Sequence, residues 1–86
     1  MDRRCNHSHY WTTSPVSDRK AGSTTLHLHG KFEITEQATQ ATVVAEVIYW
    51  DAAPGYFLQT FGSEVPVDVI EELIAEAKEK IVSVHS

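Results

Sequence analysis

The sequence lacks the features that mark several large classes of protein. It has a single cysteine, Cys5, which excludes an intramolecular disulfide and a four-cysteine zinc site. It has no run of about 18 apolar residues, and no apolar segment follows Arg3 and Arg4, so we expect neither a membrane span nor a secretory signal. At 86 residues it accommodates one small domain. We expect a cytoplasmic protein in a reducing compartment, with no membrane partner.

Basic residues are scarce. Seven Lys and Arg stand against twelve Asp and Glu, a formal net charge of -5 with neutral histidines. Residues 1–24 carry four basic and two acidic side chains, whereas residues 25–86 carry three basic and ten acidic ones. Because nucleic-acid affinity depends on cations that neutralise phosphates, we expect no direct nucleic-acid binding. The apolar fraction of 42% is that of an ordinary globular domain.

Familiar catalytic motifs are also missing. The sequence has no glycine-rich phosphate loop, no nucleophile elbow and no His-Glu-x-x-His pattern. Glu46, in the middle of an apolar segment, is the one candidate general acid or base, and a solvent-facing or edge position explains it as well. Cys5 lies in a segment that offers it no fixed base. We predict that the chain is not an enzyme and has no cofactor, apart from the zinc hypothesis below.

The chain divides into a tail and a domain. Residues 12–25 are rich in Ser, Thr, Pro and Gly and have no apolar period, which is typical of a linker. We therefore predict a poorly structured tail over residues 1–24, flexible or docked elsewhere, and a small α+β domain over residues 25–86.

Three strands and one helix are predicted in the domain. Residues 25–35 alternate almost perfectly, with one face made of Leu26, Leu28, Gly30, Phe32 and Ile34. Residues 41–51 and 56–61 form a hairpin, joined through a type II turn at Ala53, Pro54, Gly55 and Tyr56. A helix of about 16–18 residues begins near Val65 and Pro66, with apolar residues at helical spacing: Ile70, Leu73, Ile74, Ala77 and Ile81. The predicted order is β-β-β-α, a three-stranded antiparallel sheet with one C-terminal helix packed on one face.

Both faces of the predicted hairpin are apolar. One face holds Val43, Ala45, Val47, Tyr49 and Leu58, and the other holds Val44, Ile48, Trp50, Phe57 and Phe61. Because one helix covers only one face of a sheet, the second set needs another cover. We predict that this second set is an interaction surface, either for a homodimer or for another protein. The alternative is that the N-terminal segment, with Tyr10 and Trp11, folds over it.

Histidines support an alternative function. His27 and His29 are two residues apart on a strand and project from one face roughly 7 Å apart, a spacing from which two imidazoles reach one metal ion. His7 and His9 repeat this spacing beside Cys5. The five residues together are a candidate zinc site, and the competing interpretation is that the strand histidines are solvated polar positions.

A carboxylate stripe on the predicted helix supports a further alternative. It comprises Asp68, Glu71, Glu72 and Glu76. Such a stripe is typical of a solvated helix face. It also fits a small acidic inhibitor, of the kind phages encode, that presents its helix to a basic nucleic-acid-binding protein.

Overall fold

The fold is a single antiparallel sheet with one C-terminal helix. The computed structural model describes residues 1–5, 8–35, 38–53, 55–62 and 64–85. Its elements are β1 (Asp2–Cys5), β2 (Ser8–Thr12), β3 (Val16–Asp18), β4 (Ser23–Thr35), β5 (Ala38–Trp50), β6 (Tyr56–Thr60) and α1 (Val67–His85). The predicted α+β class and C-terminal helix are confirmed. The prediction of three strands is wrong, because the described residues form six.

The three extra strands come from the predicted tail. The strand order is β1-β2-β4-β5-β6, and β3 pairs with β4. β5 pairs with one side of β4, and the other side is shared by β2 and β3. β2 lies opposite residues 28–32 of β4, and β3 lies opposite residues 23–25. The segment after β3 therefore makes a tight hairpin turn. The Asp18 carboxylate accepts hydrogen bonds from the amides of Lys20 and Ala21, and Gly22, with φ of 68°, donates to the Asp18 carbonyl.

The core lies between α1 and one face of the sheet. Its fully buried helical residues are Val69, Leu73, Ala77 and Ile81, and its buried strand residues are Tyr10, Leu26, Leu28, Val44, Ala45 and Val47. The alternation predicted for Leu26, Leu28 and Gly30 is confirmed, whereas the side chains of Phe32 and Ile34 lie outside the described part. Full burial of each large aliphatic side chain stabilises the fold by roughly 1.5–3 kcal/mol.

The helix is slightly longer than predicted. It has 19 residues and begins immediately after Pro66, whose carbonyl accepts hydrogen bonds from the amides of Val69 and Ile70. Proline is well suited to this position, because it has no N–H that would need a partner there. Among the described residues, no helix combines the length and the apolar character needed to span a membrane.

A β-bulge in β5 changes which residues reach the core. Leu28 lies opposite Ala45, but the next residue, His29, lies opposite Val43, so Val44 is the extra residue. Val44 and Ala45 are both fully buried under α1. The prediction that Val44 shares a face with Ile48 and Trp50 is therefore wrong. Val43 lies on that face instead. The predicted type II turn between β5 and β6 includes Pro54, which lies outside the described residues.

Candidate interaction surface

The sheet face opposite α1, here called the open face, is the candidate functional surface. Within the described ranges, no element packs against it. Cross-strand pairing arranges it in rows. One row holds Trp11, His29 and Val43; the next holds His27, Glu46 and Gln59; the third holds Thr25, Ile48 and Phe57. The open face thus has a histidine-rich half and an apolar half.

The apolar half centres on Ile48, Trp50 and Phe57, here called the apolar patch. Ile48 lies opposite Phe57 and is half-buried, while Trp50 is 37% and Phe57 51% exposed. Val16, which lies opposite Thr25 at the far side of the same row, is also exposed. Large apolar side chains grouped on one face are a common feature of protein contact surfaces.

Three of the five residues predicted for this surface are therefore brought together. Val44 is instead in the core, for the reason given above. Phe61 is exposed just beyond the end of β6, and its amide donates a hydrogen bond to the Val44 carbonyl. The sequence pattern did not indicate the contribution of Val16, because the segment around it resembles a linker. The turn that begins at Asp18, two residues later, was the available sign that Val16 lies in a hairpin strand.

The side chains of the histidine-rich half form a series of ring contacts. Trp11 stacks on His29, with ring centroids 5.6 Å apart and planes inclined by 13°, and it also contacts His9 at 5.0 Å. His27 lies 6.5 Å from His29, between ring centroids. Two of these imidazoles contact carboxylates: His27 Nε2 lies 3.3 Å from Glu46 Oε2, and His9 Nε2 lies 2.6 Å from Asp2 Oδ1. Trp11 is a central member of this series of contacts. The alternative prediction placed it in a segment that folds over the second apolar set, whereas β2 instead extends the sheet beside β4.

These contacts bear on the candidate zinc site. His7 and the side chain of Cys5 lie outside what the structure describes, so their part in the site is not placed. His9 and His29 each contact the Trp11 ring, and His27 contacts Glu46. In the residues that are described, no group of three or more His, Cys, Asp or Glu side chains is arranged to hold a metal ion. Zinc binding stays a prediction.

Most of the predicted acidic helix face is engaged within the chain. Arg3 on β1 contacts both Asp68, at 3.6 Å, and Glu72, at 3.2 Å. Glu76 is contacted by the N-terminal ammonium of Met1 and, at 3.4 Å, by Lys80, the i,i+4 partner. Of the four predicted residues, only Glu71 makes no ion pair with another described residue, and it is exposed.

The environment of Glu76 shifts the pKa of its carboxyl group. Its burial alone would raise the pKa. The hydrogen bond from the N-terminal ammonium, the nearby Thr12 hydroxyl, and the positive charges of the ammonium and Lys80 together outweigh burial and lower the pKa. Glu76 therefore acts as an anchor between α1 and the beginning of the chain.

No protein-family model, curated protein or solved structure matches this chain. Its surface chemistry is therefore the basis for a functional proposal. The open face offers an apolar patch bordered by polar and aromatic side chains, and on the opposite face α1 covers the buried residues of β4 and β5. That combination is suited to binding another macromolecule.

Proposed function

We propose that this chain is a small intracellular protein-interaction module, without catalytic activity, that docks on a protein partner through the apolar patch. The observation that carries the proposal is the exposure of Trp50 and Phe57 on a sheet face that no described element covers. On the other face of the sheet, α1 packs against β4 and β5.

The composition of the open face favours a protein partner. Trp and other large aromatic residues dominate the binding energy of protein interfaces when they enter a desolvated pocket. The histidine-rich half, with Glu46 and Trp11 around it, supplies the polar border that such interfaces have. The net charge of -5 argues against a phosphate backbone as the partner.

The acidic-inhibitor function has less support. It needs a helix face whose carboxylates are available to a basic protein. Asp68 and Glu72 are both bridged by Arg3, and Glu76 is held by the N-terminal ammonium and Lys80. Rearranging these contacts would cost part of the binding energy.

Partner capture with matched variants tests the proposal. The wild-type chain, Trp50→Ala and Phe57→Ala are immobilised and exposed to a lysate of the source cell. Val67→Ala is the control, since Val67 is 69% exposed at the start of α1 and outside the open face. A partner that depends on both aromatic residues is then purified and its affinity measured.

We expect each aromatic variant to weaken binding of the purified partner at least about tenfold, the effect of a side chain at an interface hot spot. The Val67→Ala variant should bind like the wild type. Equal binding by all four proteins would contradict the proposal.

A further inference from the structure

The outermost strand β6 has an unprotected edge. Among the described strands, only β5 pairs with it. Natural sheets protect their edges with charged residues, prolines or bulges. The stretch from Tyr56 to Phe61, which reads Tyr-Phe-Leu-Gln-Thr-Phe, contains no charged residue and no proline. The opposite edge strand, β1, carries Asp2, Arg3 and Arg4 and is protected in the usual way.

The backbone of β6 has hydrogen-bonding groups directed outward. The amide of Phe61 donates to the Val44 carbonyl, and the pairs of Gln59 with Glu46 and Phe57 with Ile48 follow at two-residue steps. In an antiparallel ladder, hydrogen-bonded and non-hydrogen-bonded pairs alternate. The N–H and C=O groups of Tyr56, Leu58 and Thr60 therefore point away from β5, toward the edge.

Side chains on both faces of β6 are also unusually exposed. Phe57 projects from the open face and is 51% exposed, and Leu58 projects from the α1 face and is 45% exposed. Leu58 lies opposite the buried Val47, but α1 packs on β4 and β5 and leaves Leu58 uncovered. A strand added beside β6 would contact both side chains.

We infer that β6 pairs antiparallel with β6 of a second copy of the chain. A two-fold axis at Leu58 sets Leu58 opposite the Leu58 of the second copy and Tyr56 opposite its Thr60. This pairing satisfies the outward backbone groups of all three residues. Because the segment is uncharged, a second copy meets no like charge along the strand, and this self-complementarity favours it over an unrelated peptide.

Edge pairing goes beyond the proposed function and leaves the open face free. It joins two sheets into one, so the apolar patches of both copies lie on one continuous face with each Phe57 close to the two-fold axis. A partner that docks there meets a doubled surface.

Light scattering after size exclusion, on the full metal-stripped chain over a range of concentrations, tests the inference. We expect twice the chain mass of 9.6 kDa for the wild type. Leu58→Lys places two like charges at the axis and should raise the dimer dissociation constant at least tenfold. Val16→Lys makes the same type of change at an exposed position of β3, away from β6, and should leave the dimer intact.

A second variant, together with circular dichroism, distinguishes loss of the dimer from loss of the fold. Thr60→Pro removes an N–H that points away from β5, so it should also weaken the dimer while the helical circular dichroism of each variant stays at the wild-type level. A monomeric wild type would overturn the inference, as would a dimer that persists in both β6 variants. A dimer lost in Trp50→Ala but kept in Leu58→Lys would also overturn it, while supporting the apolar patch as a binding surface.

Discussion

Val44 and Ala45 are neighbours in β5, and both side chains are fully buried beneath α1. In a regular strand, consecutive side chains point to opposite faces, so this pair records the bulge opposite Leu28 and His29. One consequence is that the residues before the bulge change faces. Val43, and not Val44, lies in the row of Trp11 and His29 on the open face.

Matched substitutions at Val43 and Val44 test the bulge. Val44→Thr buries a hydroxyl in the core and should lower the free energy of unfolding by about 1–3 kcal/mol. Val43→Thr, at a half-buried position of the open face, should cost less than about 1 kcal/mol. Urea denaturation of both variants measures the difference. A larger cost at Val43 would mean that β5 runs without the bulge.

The lowered pKa of Glu76 predicts a dependence of stability on pH. A carboxyl group whose pKa is lower in the folded than in the unfolded chain stabilises the fold above the ordinary value of 4.5, and this contribution is lost as the pH falls through the folded pKa. Glu76→Gln should therefore cost about 1–3 kcal/mol near pH 7, from the lost hydrogen bonds to a charged group. The cost should shrink progressively below pH 4.5.

Denaturant unfolding of the wild type and Glu76→Gln from pH 7 to about pH 3 makes this measurement, with the exposed Glu71→Gln as control. A difference between wild type and Glu76→Gln that does not change with pH would contradict the lowered pKa. The control should differ little from the wild type at any pH.

The contact between His27 and Glu46 links β4 to β5 across the open face. Both side chains are partly exposed, so we expect a coupling free energy of about 0.5–1 kcal/mol. A double-mutant cycle of His27→Ala and Glu46→Ala, followed by urea denaturation, measures it. Strictly additive effects would show that the two residues do not interact in solution.

The zinc hypothesis predicts that stoichiometric zinc raises the melting temperature and that His27→Ala combined with His29→Ala abolishes the rise. The described contacts, in which His27 meets Glu46 and Trp11 meets both His9 and His29, favour a smaller response. We expect a shift below about 4 °C, equivalent to less than about 1 kcal/mol in a domain of this size. A larger rise that needs both histidines would establish a metal site.

Sequence patterns predicted the regular and strongly amphipathic elements. β4 alternates and α1 repeats with helical spacing, because each buries one face of a long segment. β1, β2 and β3 escaped prediction because they bury little: the central residue of β2, Tyr10, is its only fully buried one, and β3 is exposed throughout. β2 and β3 are held by pairing with β4, and β1 by pairing with β2, and a local sequence pattern does not record such pairing.

Only part of the candidate surface could be predicted, because the rest depends on a local irregularity of the strand. The apolar character of Ile48, Trp50 and Phe57 is visible in the sequence, and so is their shared face. Val43 and Val44 are chemically identical, so no pattern indicates which of them a bulge directs into the core. Likewise, the outward backbone groups of β6 follow from its place at the end of the strand order.

The most direct test of the account is a nuclear magnetic resonance titration of the isotopically labelled chain with its purified partner. Binding through the open face should shift the amide signals of Ile48, Trp50 and Phe57 and the indole signal of Trp50, and leave those of α1 little changed. Shifts confined to Asp68, Glu71 and Glu72 would contradict the account and assign binding to the acidic helix.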